Sequence, residues 1–311
     1  MHPFLRCTAL ATTFAALLLA ANSPARAQTA PAASTAAAAK TYHLNLSPTL
    51  KVGQKLGLVS SSTMNMDMNI TVSAPALPAP QTQQQKQAGV IHLEADCEVL
   101  AVTTEGQAKK LAVTIKSLTA TQDGKAVPGL PKAGDKIIAE KAGKNDVTLT
   151  QDDKPLSAEL TQLIGDSLPL EIDGRNDQAR LGPKTPVAVG ATWDTGPALL
   201  AELQESMPSA TGIQGQMKLD SMQGSGDSQV AKISGKLTVV GVTAPLPPPL
   251  SAIPAQCSVQ ISGSYPIGAK GVFDETFSVD TKFSGETDAN GAHVKMDATT
   301  TQNVAQTITL P

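Results

Sequence analysis

Apolar and polar side chains alternate through most of the chain, and a period of two residues is typical of β-strands with one buried face. The clearest row is Met64, Met66, Met68, Ile70 and Val72. The pattern recurs at Leu111, Val113 and Ile115, at Val259 and Ile261, and at Phe277, Val279 and Thr281. The sequence therefore predicts a mainly β protein with a large antiparallel meander, built as a curved sheet or as two packed half-repeats.

Turn signals separate the alternating segments. Glycine after an acidic or amide residue favours a tight turn, because glycine readily adopts the positive φ that hairpin turns require. Such pairs occur at Glu105-Gly106, Asp123-Gly124 and Asn290-Gly291, and a longer turn signal covers residues 224–227. Asn290-Gly291 lies between two alternating segments and predicts a two-residue hairpin.

Two short segments break the alternation and place apolar residues at helical spacing. The first starts at Pro155, ends at Gly165, and carries Leu156, Leu160, Leu163 and Ile164. The second starts near Pro197 and carries Leu199, Leu200, Leu203 and Met207. We expect one or two short amphipathic helices that lie on a face of the sheet.

The chain divides into two halves with a loosely similar order of features. VGQKL at residues 52–56 opens the first half, and VGATW at residues 189–193 opens the second. In each half a proline-rich loop, at residues 74–80 or 244–254, precedes a strand with a cysteine. Proline cannot donate to a sheet edge, so a structural role for these loops is favoured over a role as ligands for a partner.

This order predicts a domain organisation. The first β meander is expected over residues 41–173 and the second over residues 187–311, with residues 174–186 as the connection between them. One continuous domain over residues 41–311 is the alternative.

Residues 1–27 have the parts of a secretory signal peptide: a positively charged start, a short apolar run, and the small-x-small pattern Ala25-Arg26-Ala27. Cleavage between Ala27 and Gln28 would leave an alanine-rich leader at residues 28–40, which is predicted to be disordered. No later segment is long and apolar enough to span a membrane as a helix. We therefore expect a periplasmic or extracellular protein without a transmembrane segment.

Charge and aromatic content argue against some classes of ligand for the exported chain. The net charge is −3, and loss of Arg6 and Arg26 with the signal peptide makes it more negative. A mildly acidic chain without a basic run lacks the electrostatic footprint of a nucleic-acid-binding protein. Aromatic residues make up only 3% of the sequence, which argues against base-stacking platforms and weakens the case for a carbohydrate site built on ring stacking.

Cys97 and Cys257 are the cysteines that remain after cleavage. In an oxidising compartment they are a candidate disulfide that would close a long loop. The alternative is two separate thiols buried in strands, because free cysteine is a common core residue. The sequence leaves both open, since it does not give the Cα separation that a disulfide requires.

Residues 181–193, LGPKTPVAVGATW, combine a proline-containing lead, a Val-x-Val strand, a glycine and a tryptophan. Together with the signal peptide and the methionine row, this segment resembles exported bacterial β-rich proteins that form a family of unknown function. The resemblance implies a fold over most of the exported chain and assigns no catalytic residue. From the residues alone, Val187 and Val189 should face one way, Gly190 should permit a bend, and Trp193 should be a core anchor rather than a ligand-stacking ring.

Motifs for the common enzyme and cofactor classes are absent from the sequence. We find no G-x-S-x-G or S-x-x-K nucleophile motif, no H-E-x-x-H zinc motif, no P-loop and no dinucleotide-binding glycine pattern. His43, His92 and His293 are isolated in the sequence, so we predict no catalytic residue and no cofactor. Carboxylates that converge from distant positions leave no local motif, and a site of that kind stays open.

Met64, Met66 and Met68 are weak candidates for a metal site, because thioether ligands prefer Cu(I). Ile70 and Val72 continue the same row, which favours methionine as an adaptable core residue. The sequence therefore predicts core packing for this row.

Glu171, Asp173, Asn176 and Asp177 offer oxygen atoms of the kind that Ca²⁺ binds. Their spacing departs from that of an EF-hand loop, and Arg175 opposes a cation. A turn is the favoured interpretation of this segment.

These observations favour a non-enzymatic exported protein of the envelope or the secreted fraction, with a binding or structural role and an envelope protein as one expected partner. The alternative is a periplasmic carrier of a lipophilic ligand, because a curved sheet with helices across its concave face can enclose an apolar cavity. An enzyme with a distributed carboxylate site is the third hypothesis.

Overall fold

The computed structural model describes residues 40–311, except residues 48, 76, 144–146, 174–175, 244–253, 268–269 and 290. The predicted signal peptide, nearly all of the leader and most of the second proline-rich loop lie outside the described residues. Within the described part, the chain forms fifteen β-strands and three α-helices. No helix in this part is long and apolar enough to cross a bilayer.

The first half of the chain forms one meander. Its strands are β2 Lys55–Ser73, β3 Gln81–Val102, β4 Ala108–Gln122, β5 Lys125–Ala126, β6 Lys136–Lys141, β7 Val147–Gln151 and β8 Lys154–Pro155. The strand before them, β1 Thr41–Tyr42, pairs with Val187–Ala188 in a separate two-stranded sheet. The predicted turn at Asp123-Gly124 connects β4 to β5, and both of its residues have positive φ, 49° and 74°.

Helices occupy the middle of the chain. They are α1 Ala158–Gly165, α2 Asp177–Leu181 and α3 Pro197–Ser206, and the two short strands among them are β9 Val187–Ala188 and β10 Thr192–Trp193. The helices α1 and α3 confirm the two predicted from apolar spacing. We did not predict α2, which begins where the Asn176 side chain accepts a hydrogen bond from the Ala179 N–H at 2.8 Å. Only five residues long, it is too short to show helical periodicity.

The second half forms another meander. Its strands are β11 Gly212–Gln223, β12 Val230–Val240, β13 Ala255–Pro266, β14 Gly271–Ala289 and β15 Ala292–Leu310, with a 3-10 turn at Gly226–Ser228. The strands β14 and β15 pair along their whole length, up to Ala289 opposite Ala292. This pairing confirms the predicted hairpin, and Gly291 has the positive φ of 76° that such a turn needs.

Thirteen strands form one antiparallel sheet, in the order β10-β11-β12-β13-β14-β15-β2-β3-β4-β6-β7-β8, with β5 beside β4. The two meanders meet where β15 pairs with β2, from Thr309 opposite Gly57 to His293 opposite Ser73. Among the described strands the sheet is open, with β10 and β8 at its two ends. A mainly antiparallel β fold with a few short helices is therefore confirmed.

The sheet has two unlike faces. We name the first the helix face, because its buried side chains, such as the fully buried Leu58 and Leu93, share one core cluster with helix residues. The helix members of this cluster include Ile164, Leu181 and Leu199. The opposite side, named the open face, carries polar ladders such as Ser278, Asn303 and Thr63, which are joined by hydrogen bonds.

Four long strands extend past their neighbours. The pairing of β4 with β3 begins at Gly89, and that of β13 with β14 begins at Phe283. The residues beyond these points, 65–73, 81–88, 284–289 and 292–301, form a four-stranded extension that we name the blade. A second, smaller apolar cluster lies on the helix face at the base of the blade and contains Phe283, Met296 and Ala298 with Met68, Ile70 and Ala255.

Candidate functional site

A groove lined by polar side chains crosses the open face of β10–β14, and much of its exposed surface belongs to the carbon atoms of those side chains. Its volume is about 520 Å³. Strand register places its side chains in two parallel rows. One row is Gln216, Lys236, Gln260 and Ser278, and the other is Lys218, Ser234, Ser262 and Thr276. Because alternate residues of a strand share a face, four antiparallel strands bring eight polar side chains together.

The two lysines of the groove differ in their partners. The Nζ atom of Lys218 lies 2.9 Å from Asp220 Oδ1, and hydrogen bonds from Ser234 and then Lys218 lower the pKa of Asp220. Lys236 makes no ion pair with any side chain in the described part of the chain. Its charge is therefore the one left to attract an anionic ligand to the groove.

Sequence reasoning missed this groove. On each strand the polar positions are simply the solvent side of an alternating pattern, so they carry no local signal. The sequence does place a lysine on the solvent side of each of two consecutive strands, Lys218 on β11 and Lys236 on β12. These lysines indicate a common site only when the strand register shows that they lie close together on one face.

A second group of charged side chains lies on the helix face and is centred on Arg180 of α2. The Arg180 guanidinium lies 2.7 Å from Glu171 Oε1, 2.5 Å from Asp177 Oδ1 and 3.0 Å from Glu202 Oε2. The Arg180 side chain is only 17% exposed, so these pairs are partly desolvated and stronger than surface pairs. Arg180 thereby connects α2 to α3 and to the segment before α2.

Glu275 of β14 and Tyr265 of β13 lie next to this group. The Tyr265 hydroxyl donates a hydrogen bond to Glu275 Oε1 at 3.0 Å. Burial, with a smaller contribution from the nearby charge of Asp177, raises the pKa of Glu275 to about 8. Burial also raises the pKa of Glu171, against the opposing effect of Arg180. At neutral pH the Glu275 carboxyl therefore holds its proton for most of the time.

The chemistry available to this charged group is limited by its partners. Three of its carboxylates already bind Arg180, and among the described residues no group of three or more His, Cys, Asp or Glu side chains is arranged to hold a metal ion. The group therefore supports attachment of the helices to the sheet better than it supports catalysis. Glu275 carries no local signal in the sequence, and Glu171 stands out there only as one oxygen donor of the segment at residues 171–177.

In the oxygen-rich segment at residues 171–177, the described residues Asp173, Asn176 and Asp177 use side-chain oxygens within the fold. Asp173 Oδ1 accepts hydrogen bonds from the Thr104 N–H at 2.6 Å and the Thr104 hydroxyl at 2.9 Å. Asn176 caps α2, and Asp177 binds Arg180. Glu171 Oε1 binds Arg180, whereas Glu171 Oε2 is buried without a hydrogen-bond partner among the described residues. The centre of the predicted turn, residues 174–175 with Arg175, lies outside the described part.

The methionine row lies on the helix face of β2. Met66 is 7% exposed, and Met68 packs against the apolar cluster of the blade. This packing supports the core interpretation of Met64, Met66 and Met68, and a Cu(I) site there stays untested.

The structure does not bring His92 and His293 together. His92 of β3 lies opposite Ser61 of β2, whereas His293 of β15 lies opposite Ser73 at the far end of the same strand. The two positions are about 40 Å apart at the rise of an extended strand. His293 instead contacts Asp288 at 2.9 Å and Glu286 at 3.2 Å.

The two cysteines are separate buried thiols, so the candidate disulfide is not formed. Cys97 lies on β3 and Cys257 on β13, with β14, β15 and β2 between them. Four strand spacings separate β3 from β13 by about 19 Å, which is far beyond the reach of a disulfide. Burial raises the pKa of Cys97 to about 12 and also raises the pKa of Cys257, which makes both thiols unreactive.

The segment before β10 confirms one expectation and corrects another. Val187 is buried at 9% exposure, but Val189 is 49% exposed, so the two valines do not face one way. The chain turns immediately after β9, and Gly190 adopts a φ of 85°. Trp193 packs against the core cluster, and its indole N–H donates to the Leu181 carbonyl at 2.6 Å, as suits a core anchor.

Comparison with known proteins gives little. No protein-family model matches the chain, and no curated protein matches it. Among solved structures, the crystal structure of a Pseudomonas aeruginosa FadL homologue aligns over 82% of this chain and 89% of that chain, at 8% identity and a TM-score of 0.17. A TM-score this low carries no argument about fold or function.

Proposed function

We propose that this chain is an exported, non-enzymatic binding protein of the bacterial envelope or the secreted fraction, and that the polar groove on β10–β14 is its ligand site. The signal-peptide pattern of residues 1–27 supports export. The resemblance of residues 181–193 to exported bacterial β-rich proteins supports the same compartment. The observation that carries the binding role is Lys236, a lysine without an ion pair among the described residues, in a groove of about 520 Å³.

The lining of the groove defines the class of ligand. Lysine, glutamine, serine and threonine side chains offer positive charge and many hydrogen-bonding groups, and among the described residues the lining contains no carboxylate and no aromatic ring. Asp194 and Asp220 lie beside the groove and bind Gln216 and Lys218 of its lining. Recognition would therefore rest on hydrogen bonds and charge rather than on ring stacking. We propose a small, water-soluble anion with several hydroxyl groups, of the size of an acidic oligosaccharide.

The test is isothermal titration calorimetry of the purified chain with trigalacturonate, an anionic trisaccharide, and with maltotriose, a neutral one. We expect binding of trigalacturonate that weakens as salt is added, because salt screens exposed charges. Lys236→Gln should weaken the binding roughly tenfold, in the range of a charge-assisted hydrogen bond. Lys282→Gln is the matched control, since Lys282 is an exposed lysine on the same face of β14 and lies outside the groove.

Three outcomes would contradict the groove as an anion site. They are equal binding of both sugars, no binding of either, or a loss of affinity in Lys282→Gln as large as in Lys236→Gln. Circular dichroism of both variants establishes that the comparison is between folded proteins.

A carrier of a lipophilic ligand is the second candidate. The apolar cluster of the blade supports it, because Met68 and Ile70 are only partly buried there. In the body of the sheet, however, side chains from α1–α3 fill the helix face, and a ligand would have to displace them. Native mass spectrometry of the purified chain tests this candidate: co-purified lipid would support the carrier, and a single ligand-free mass would count against it.

A further inference from the structure

The strand β3 has an open edge in the blade. Its neighbour β4 pairs with it from Gly89 onward, and no other described strand pairs with residues 81–88 on that side. Residues 81–86 are all exposed. An exposed edge of backbone N–H and C=O groups is a template for one more strand.

The hydrogen bonds of Ala88 show which residues of β3 direct their backbone N–H and C=O groups toward the open edge. The Ala88 N–H donates to Asp123 Oδ1 at 2.8 Å, and its carbonyl accepts from the Asp123 N–H at 2.7 Å, so both groups point away from β2. Every second residue of a strand points the same way, and the register of β2 with β3 is unbroken here. Thr82, Gln84 and Lys86 therefore direct their N–H and C=O groups outward.

The sequence of this edge is nearly its own mirror image. Residues 81–87 read QTQQQKQ, and only Thr82 and Lys86 break the symmetry about Gln84. If a second copy pairs antiparallel about a two-fold axis at Gln84, all three outward residues are used, Gln84 opposite Gln84 and Thr82 opposite Lys86. This register makes about six backbone hydrogen bonds, whereas a shift of the axis by one residue makes about four.

The side chains of residues 81–87 are compatible with this antiparallel pairing of two copies. Glutamine faces glutamine across the axis, and stacked or paired amides stabilise such contacts. Lys86 lies 2.8 Å from Asp67 of its own chain, and the two lysines would be about 13 Å apart along the strands. The other open edge of the blade, on β14, carries Glu286 and Asp288, which would repel a second copy.

We propose that two copies of this chain form a symmetric dimer by antiparallel pairing of β3 residues 81–87, which continues the sheet through the blade. The partner is thus a second copy of this chain, and the contact is backbone pairing on the edge rather than burial of an apolar face. The proposal is independent of the groove on β10–β14, which lies on other strands.

The first test is sedimentation velocity of the purified chain over a range of concentrations, with the variants Gln84→Pro and Gln84→Ala. Proline removes the outward N–H of residue 84 and leaves the pairing with β2 intact, because that N–H points away from β2. We expect a dimer for the original chain and for Gln84→Ala, and a monomer for Gln84→Pro.

The second test uses charge at Thr82, which would lie opposite Lys86 of the other copy. Thr82→Glu should tighten the dimer and Thr82→Lys should loosen it, each by about three- to tenfold in dissociation constant, because the pair occurs twice. A chain that is monomeric at every concentration would overturn the proposal. So would a dimer that tolerates Gln84→Pro or responds alike to both charges at residue 82.

Discussion

The body of the sheet and the blade are built from the same strands, yet their helix faces differ. In the body, Leu58 of β2 is fully buried in the core cluster that also contains residues of the helices. In the blade, Met68 and Ile70 of the same strand are only half-buried, and the residues opposite them on β3, Gln85 and Gln83, are exposed. Alternation along a strand thus decides which face of the sheet a side chain lies on. The segments packed over that face decide how far the side chain is buried.

The titratable groups follow the same division. Glu275 lies below the helices of the body, and burial is the main cause of its raised pKa. His293 lies exposed near the tip of the blade, and its pKa is raised by hydrogen bonds to Asp288 and Glu286 instead. Loss of water is therefore the main cause of the pKa shift of Glu275 below the helices, whereas local pairing is the main cause of the pKa shift of His293 in the blade.

Truncation of a buried side chain in the body should destabilise the protein more than truncation in the blade, and we expect the largest loss of stability here. Leu93→Ala should lower the free energy of unfolding by about 3–4 kcal/mol, because it leaves a cavity in a fully buried site. Met68→Ala should cost only about 1 kcal/mol, because that side chain already contacts solvent. Urea denaturation measures both. Equal losses would show that the blade is packed as tightly as the body.

A smaller loss of stability is expected when the Glu275 carboxyl below the helices loses its proton. The pKa of Glu275 is about 8 in the folded chain against a usual value of 4.5, so the folded state binds this proton more tightly than the unfolded state does. The stability from this proton is complete below pH 4.5 and is lost as the pH rises through about 8. The urea midpoint of the original chain should therefore fall between pH 5 and pH 9.

Glu275→Gln should remove much of that fall, roughly half of it, since Glu171 and Asp166 also have pKa values raised by burial. Glu98→Gln, a change of an exposed acid on β3, serves as the control and should leave the fall unchanged. A midpoint of Glu275→Gln that drops with pH as steeply as that of the original chain would contradict this role of Glu275.

The smallest effect tests the blade. The pairing of His293 with Asp288 and Glu286 raises the pKa of His293 above 6.5, so its contribution is complete below pH 6.5 and is lost as the pH rises past the raised value. After correction for the intrinsic rate, amide hydrogen exchange at residues 286–293 should be faster at pH 8.5 than at pH 6. His293→Asn should abolish this difference, and His92→Asn should keep it.

Much of the fold could be predicted from local pattern. The alternation of Met64 to Val72 identified β2, the Asn290-Gly291 signal identified the hairpin of β14 and β15, and apolar spacing identified α1 and α3. The short helix α2 escaped because five residues hold barely more than one helical turn. Val189 was misplaced because the strand it was assigned to ends at Ala188, where the chain turns.

The candidate sites were less predictable. Lys218 and Lys236 are ordinary solvent-side residues until strand register places them in adjacent rows. Arg180, Glu171 and Glu202 come from three separate segments, and no motif connects them. The cysteines allowed a bridge on the sequence alone, and strand order separated them.

The sequence by itself determined where the strands lie, which of their side chains share a face, and which turns are tight, because these properties depend on neighbours a few residues away. Only the tertiary structure decided that β15 pairs with β2, residues about 240 apart in the chain, and that the helices cover one face of the body. Pairing of distant strands depends on the total burial and hydrogen bonding of the whole chain. The groove, the charged group at Arg180 and the open edge of β3 all follow from that pairing.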